Sequence, residues 1–399
     1  MSNLFSLLRQ HFSFIIIAIG AICFFLLNIL LQNYLSPQNY GTYSIFITYI
    51  SLLSSFGMLG FEQTLIRTTK IKKKLEVEKS VIIPSLLSVF FVSLISSYLL
   101  MNNYDIGLDY YYLIILSILV VLTKLIFNLN RMRSKFILSQ LSVNFWKIGL
   151  FVITLYFLFF KINFKIIDLF QATLILFSIS AILIFPLFNK IVFLNNKTII
   201  ELLKQSFLFF LTLFTISLIS FGDRFFIENR FGLSEMGNYF FYINIFLFPF
   251  LLFQSYIGFK EIIVFKKDFN LKILNDKINL AFKYSLCFSI VLFLCLFLIE
   301  YLKIYNLKIS LNLDIILLLI LLGNIKVVYA LLSSAMGAVA NEKMLVDINI
   351  KSIFTIILII PCIYYFASNI ALSILFIITL WIIRCLIWYN QLLKYENKI

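Results

Sequence analysis

Long apolar runs separated by short polar joints fill the chain from end to end. Twelve runs of about 20 mostly apolar residues can be read, at 12–32, 43–61, 80–101, 110–128, 143–160, 169–188, 206–226, 238–257, 281–302, 313–333, 350–366 and 370–389. A hydrocarbon core about 30 Å thick is crossed by about 20 residues rising about 1.5 Å each. The runs are continuous and do not alternate at every second residue. They are also about twice as long as a transmembrane strand, so they predict helices and exclude a membrane β-barrel. No joint is long enough to hold a soluble domain. The first run lacks a small-residue cleavage site and is too long for a signal peptide, so it predicts a first span.

Composition gives the same answer. Hydrophobic residues make up 62% of the 399 and charged residues 13%, with a mean hydropathy of +1.03. Soluble domains carry about 45–50% apolar and about 25% charged residues. A cytosolic enzyme, a secreted disulfide scaffold and a disordered chain are therefore excluded. The expected fold is an all-α polytopic membrane protein of about 12 transmembrane helices.

The net charge of +15 raises the question of nucleic acid, but the positions of the cations answer it. With the N-terminus inside, 21 of the 33 Lys and Arg fall in cytoplasmic segments, 6 in outer segments and 6 within spans. That bias follows the positive-inside rule and predicts that both termini are cytoplasmic. The cluster Arg67 to Lys79 reads as a solvated, topology-setting loop. All five cysteines lie in apolar runs without a CxxC pair, and His11 is the single histidine. No metal site, cofactor site or histidine-based catalytic site is expected, and the chain is not expected to be an enzyme.

An internal repeat organises the runs. "LSPQNYGTYSIF" precedes the body of span two and "LSEMGNYFFY" that of span eight, each with Leu-Ser and then Gly-x-Tyr: Gly41 and Tyr43, Gly237 and Tyr239. The spans that follow end in Gly60-Phe61-Glu62 and Gly258-Phe259-Lys260-Glu261. Lys147 and Lys351 then occupy similar places in spans five and eleven. Six spans per copy make the repeat parallel, with two lobes related by an axis along the membrane normal. The expected lobes are residues 1–195 and 196–399, divided in the basic joint from Lys190 to Lys204. Substrate would sit between them.

Charges inside spans are costly and are candidates for function. Lys124, Lys147, Lys283, Lys326, Lys351 and Arg384 qualify, all in the cytoplasmic half by this topology. Lys283 and Lys351 lie near helix ends, where a long side chain can snorkel to the headgroups. Lys326 lies about two turns in and is the strongest candidate. Several cations with few acids would make a cavity positive and attract a pyrophosphate or an acidic sugar. Asp223-Arg224, late in span seven, is a second constellation. Neighbours in a helix point about 100° apart, so each is expected to meet a partner on another helix. Glu62 and Glu300 are acids at span ends. Pro84, Pro186, Pro249 and Pro361 lie in or beside spans as kink positions.

"LSPQNYGTYSIF", "FGMLGFEQTLIR" and "GDRFFIENRFGLSEMGNYFFY" resemble the polysaccharide-exporting flippases, the Wzx-type O-antigen translocases. These belong to the multidrug/oligosaccharidyl-lipid/polysaccharide exporter superfamily, whose fold is MATE-like. The resemblance implies a flippase that moves undecaprenyl-pyrophosphate-linked oligosaccharide repeat units, of O-antigen or capsule type, across the bacterial cytoplasmic (inner) membrane by alternating access. It implies a cationic cavity, with Lys124, Lys147, Lys326, Arg384 and Arg224 for substrate and Asp223 and Glu62 for gating or coupling. Of these, Asp223 and Arg224 match a family motif, and the others rest on the charge argument. A proton or sodium gradient would drive the cycle, and a polysaccharide polymerase and a chain-length regulator would be partners. Alternatives are a lipid II or multidrug exporter of the same superfamily, or an integral-membrane polysaccharide-modifying enzyme.

Overall fold

The computed structural model describes residues 2–71, 74–182, 191–194, 199–301 and 312–396. Pro186, Lys190, Lys197 and the end of the sixth run lie outside the described residues, as do the side chains of His11 and Glu300.

The chain begins with α1 (Ser2–Tyr34), α2 (Pro37–Phe56) and the short α3 (Phe61–Thr68), followed by α4 (Lys79–Asn103), α5 (Tyr110–Met132), α6 (Phe136–Phe159) and α7 (Ile166–Ile182). Then come the long α8 (Ile199–Phe231), α9 (Leu233–Tyr242), a π-helical segment (Ile243–Leu247) and α10 (Phe248–Lys267). α11 (Leu271–Tyr301), α12 (Leu313–Val339), α13 (Glu342–Phe366) and α14 (Ile370–Glu396) follow. Eleven spans among the described residues are long and apolar enough to cross a membrane, and α7 is a shorter apolar helix whose expected continuation is not described. The protein is a multi-pass, all-α membrane protein.

The helices outrun the apolar runs that predicted them, because backbone hydrogen bonding and capping continue into polar flanks. α12 reaches Val339, past the end of its run at 333, and α13 starts at Glu342, where the Asn341 side chain accepts from the Met344 amide at 3.0 Å. Ser36 caps α2 in the same way, with Pro37 in its first turn.

The chain divides into two compact units, Met1–Ser217 and Leu218–Ile399, so the division falls inside α8. In unit 1, α6 packs against α1, α5 and α7. In unit 2, α12 is the central helix and packs against α10, the π segment, α11 and α14. The π segment widens the helix just before Pro249, whose ring supplies no amide donor.

Span two is not a single helix. It breaks at Gly57–Gly60, where Leu59 and Gly60 have φ of +47° and +80°, and restarts as α3. A Cβ on Gly60 would stand 2.1 Å from the Ser206 carbonyl oxygen and 2.5 Å from the Phe210 amide nitrogen of α8. Left-handed strain and overpacking against backbone add, so Gly60→Ala is expected to destabilise unit 1 by about 2–4 kcal/mol. The checking measurement is the melting temperature of the purified protein. Gly258→Ala, which meets nothing within 4 Å in a helix, is the control and should be silent.

One expectation is corrected. Part of the cluster Arg67 to Lys79 is not a plain solvated loop. Lys70–Ile71 (β1) and Leu75–Glu78 (β2) pair antiparallel, and β2 pairs in parallel with Ile191–Leu194 (β3) from the joint before α8. The reason is visible in "LEVE": Leu75 and Val77 alternate with charged residues and are buried.

Candidate functional site

Charged side chains inside the spans gather in one cluster per unit. In unit 1, α5 supplies Lys124, α6 supplies Lys147 and the first turn of α3 supplies Glu62. Glu62 is 4% exposed, and the charge that acts on it is that of Lys124. Lys124 also repels Lys147 and rests over the Phe127 ring at 5.1 Å. Lys147 stands midway between Phe136 and Phe159, at the centre of α6. α6 begins at Phe136, before the apolar run that starts at 143. Its Nζ donates to Asn144 Oδ1 at 3.4 Å and lies 5.8 and 5.9 Å from the rings of Phe24 and Trp146. Those rings pack edge-on, and Trp146 stacks on Phe177.

Unit 2 holds the denser cluster. Asp223 and Arg224 stand near the end of α8. Asp223 Oδ1 accepts from the Arg224 amide at 3.0 Å, and Oδ2 accepts from the Tyr239 hydroxyl of α9 at 2.5 Å. The buried Arg224 guanidinium lies 5.2 Å from the Phe221 ring and 5.1 Å from that of Phe240. Asp223 therefore finds its side-chain partner on another helix, as the offset of about 100° predicts. Lys326 of α12 is 5% exposed and feels the charges of Asp223 and Arg224. It stands midway between Leu313 and Val339, at the centre of α12.

From Lys326 an aromatic bridge leads to Arg384. Lys326 Nζ lies 5.0 Å over the Trp381 ring, and Trp381 packs edge-on against Tyr329 at 4.9 Å. The Tyr329 hydroxyl accepts from Arg384 Nε at 3.1 Å, and the guanidinium lies 5.3 Å from the Trp388 ring. Helical spacing makes this possible. Lys326 and Tyr329 are three apart on α12, and Trp381, Arg384 and Trp388 fall on one face of α14. Arg384 is 2% exposed.

The structure thus joins Glu62, Lys124 and Lys147 in one unit and Asp223, Arg224, Lys326 and Arg384 in the other. Lys283 is exposed and joins neither cluster, and Lys351 forms an ion pair with Asp347 of its own helix at 2.7 Å. The cost of buried charge does not point to Tyr239, Tyr329, Trp381 or Trp388. Tyr239 is marked in the sequence as the tyrosine of the repeated Gly-x-Tyr motif, and the aromatic frame of Arg384 is signalled by its i−3 and i+4 spacing. A tyrosine hydroxyl also joins α1 to α2, where Asn28 accepts from Tyr40 at 3.4 Å, but Tyr40 is not the repeat counterpart of Tyr239, which is Tyr43. Lys124 and Lys326 stand in equivalent fourth and tenth spans.

Residues 8–259 match the polysaccharide biosynthesis protein family. The chain belongs to that family. Among curated proteins no sequence matches it. Solved structures match over nearly the whole chain. The lipid II flippase MurJ in an inward closed conformation aligns with a TM-score of 0.62 and 17% identity, covering 96% of this chain and 89% of that one. An inward-facing multidrug-resistance MATE transporter of the MOP superfamily aligns at 0.61 with 13% identity, covering 96% and 99%. A MOP-superfamily transporter from Pyrococcus furiosus, described as having a binding pocket of reversed polarity, aligns at 0.59 with 12% identity, covering 96% and 94%. At these identities the likeness is one of fold. This member of the polysaccharide biosynthesis family therefore has the fold of MOP-superfamily transporters and flippases.

Proposed function

We propose that the protein is a flippase that carries undecaprenyl-pyrophosphate-linked oligosaccharide repeat units, of O-antigen or capsule type, across the bacterial cytoplasmic membrane. The observation that carries this reading is the sign of the charge within the spans, part of it buried and part half-buried. Five cations, Lys124, Lys147, Arg224, Lys326 and Arg384, stand in the two clusters against two acids, Glu62 and Asp223. Low-dielectric walls strengthen the field of such a set, which suits a pyrophosphate and repels a cationic drug. The polysaccharide biosynthesis family supports the sugar as cargo, and a lipid II flippase among the structural neighbours supports a lipid-linked one.

In this reading the two lobes, 1–195 and 196–399, rock between inward- and outward-open states. Lys326, Lys147 and Lys124 hold the anionic headgroup while the polyprenyl tail stays in lipid. Arg224 guides release. Asp223 and Glu62 gate the cycle or couple it to a proton or sodium gradient. Both termini lie in the cytoplasm.

The test is a deletion strain whose lipid-linked sugars are extracted and probed for sidedness. The expected result is undecaprenyl-linked repeat units accumulating on the inner leaflet and loss of surface polysaccharide. Normal polysaccharide with an altered drug-sensitivity profile would instead favour the multidrug reading, and accumulation of lipid II would favour the peptidoglycan one.

A further inference from the structure

Lys147 is held by an amide and not by an acid. It is half-buried at the centre of α6, and its Nζ donates to Asn144 Oδ1, one turn back on the same helix, at 3.4 Å. A lysine ammonium carries three N–H donors, and among the described residues this is the one hydrogen bond it makes. The charge acting on Lys147 is that of Lys124, which repels it, and the charge acting on Glu62 is likewise that of Lys124. Two donors and a positive charge are therefore left for a group that the chain does not supply.

Asn144 is built to face the lysine with its oxygen. Its Nδ2 donates to the Gln140 carbonyl at 3.0 Å and to Gln140 Oε1 at 3.3 Å, which commits both of its N–H groups. That network fixes which end of the amide is which and leaves Oδ1 for Lys147. α1 confines the amide from the other side. Asn144 is 6% exposed and fills a notch at the buried Gly20, where a Cβ would stand 2.8 Å from Asn144 Cβ and 2.9 Å from its Oδ1.

The internal repeat supplies the comparison. Lys351 of α13 holds the place in span eleven that Lys147 holds in span five. Its neighbour one turn back is Asp347, to which it donates at 2.7 Å, and Asp347 also accepts from Gln391 of α14. In span eleven a carboxylate neutralises the cation. In span five a carboxamide orients it and leaves it charged.

We propose that Asn144 is a positioning residue for an anionic headgroup: it aims the Lys147 ammonium at a diphosphate and, being neutral, leaves that ammonium the charge that attracts one. The inference rests on the flippase reading, in which Lys147 holds the headgroup.

The experiment is native mass spectrometry of the full-length protein, titrated with undecaprenyl pyrophosphate and, separately, with uncharged undecaprenol. The parent is expected to bind the charged lipid at least tenfold more tightly. Asn144→Asp should turn the pair into a copy of Lys351 and Asp347 and remove most of that preference, with undecaprenol binding little changed. Asn144→Leu keeps the size and loses the acceptor, so it should weaken the charged lipid severalfold, as the loss of one hydrogen bond does. In a Lys147→Gln background Asn144→Leu should have no further effect, because it acts through the lysine. Should the Asn144 variants fail to fold, Gly20→Ala displaces the amide without changing either side chain, and the same severalfold loss is expected.

Charged-lipid binding at the parent's level in these variants would overturn the role of Asn144. Equal loss of both lipids would overturn it too, since that marks a structural role. Parent-like binding by Lys147→Gln would remove Lys147, and Asn144 with it, from the site while leaving the other cations of the flippase reading in place. A parent without preference for the charged lipid would overturn that reading and this inference together.

Discussion

Lys326→Glu is expected to abolish surface polysaccharide export, by more than a hundredfold, while the protein stays in the membrane at near-normal amounts. Lys326 is buried at the centre of the central helix of its unit. Two unit charges about 4 Å apart interact by about 4 kcal/mol at an effective dielectric of about 20. Reversing the charge turns attraction for a phosphate into repulsion of similar size, and every step of about 1.4 kcal/mol is a factor of ten. Lys326→Arg should retain much of the activity, and Lys326→Gln should fall between. The control pair is Lys283→Gln and Lys351→Gln. Lys283 is exposed, Lys351 is satisfied within its own helix, and both variants should export within about twofold of the parent, as surface substitutions usually have small effects. The readout is repeat units reaching the outer leaflet, with membrane content measured by immunoblot. Full export by Lys326→Glu would remove Lys326 from the site. Loss of the protein itself would be read out by the blot, and Lys326→Gln would then decide.

The reach of the sequence differs between the two levels. Twelve apolar runs and the all-α class were legible because a bilayer demands length and continuous hydrophobicity, and both are visible in one dimension. Helix ends were not, because capping side chains such as Asn341 and ordinary hydrogen bonding carry helices past the apolar limit. Lys326 and Lys147 are therefore central along their helices, although each stands nearer one end of its apolar run. The break at Gly60 and the strand at Leu75–Glu78 were hidden for a related reason: each is decided by what packs against it, the backbone of α8 in one case and β3 in the other. At the site, the costly charges announced themselves one by one, but their grouping did not. Asp223 and Lys326 are far apart in the chain, and the tyrosines and tryptophans between the cations look like ordinary apolar filling until the helices are packed. The internal repeat was the part of the sequence that carried three-dimensional information. It made Tyr239 conspicuous, and it aligns the lysines of the fourth and tenth spans.

The second large effect is expected at Asp223. Its carboxylate accepts from Tyr239 and from the Arg224 amide, and it is the acid whose charge Lys326 feels within unit 2. Asp223→Asn keeps an acceptor oxygen for Tyr239 and removes the negative charge. The positive charges of Arg224 and Lys326 then act on each other with that compensation gone. A buried group left without its charged partner costs about 1–3 kcal/mol, and Asp223→Asn should lower the melting temperature accordingly and stop export. Tyr239→Phe removes the hydrogen bond and keeps the charge, so it should be milder. The decisive arm is the double variant. If the role of Asp223 is to balance Lys326, then Lys326→Met in the Asp223→Asn background should restore thermal stability, since the uncompensated cation is gone. Export should stay lost if, as proposed, Lys326 is a cation that meets the substrate. Independent residues would add within about 0.3–0.5 kcal/mol, and additivity of that kind would refute the pairing. A stable, inactive double variant separates the two duties of this cluster: the acid keeps the cations folded in place, and the cations do the binding.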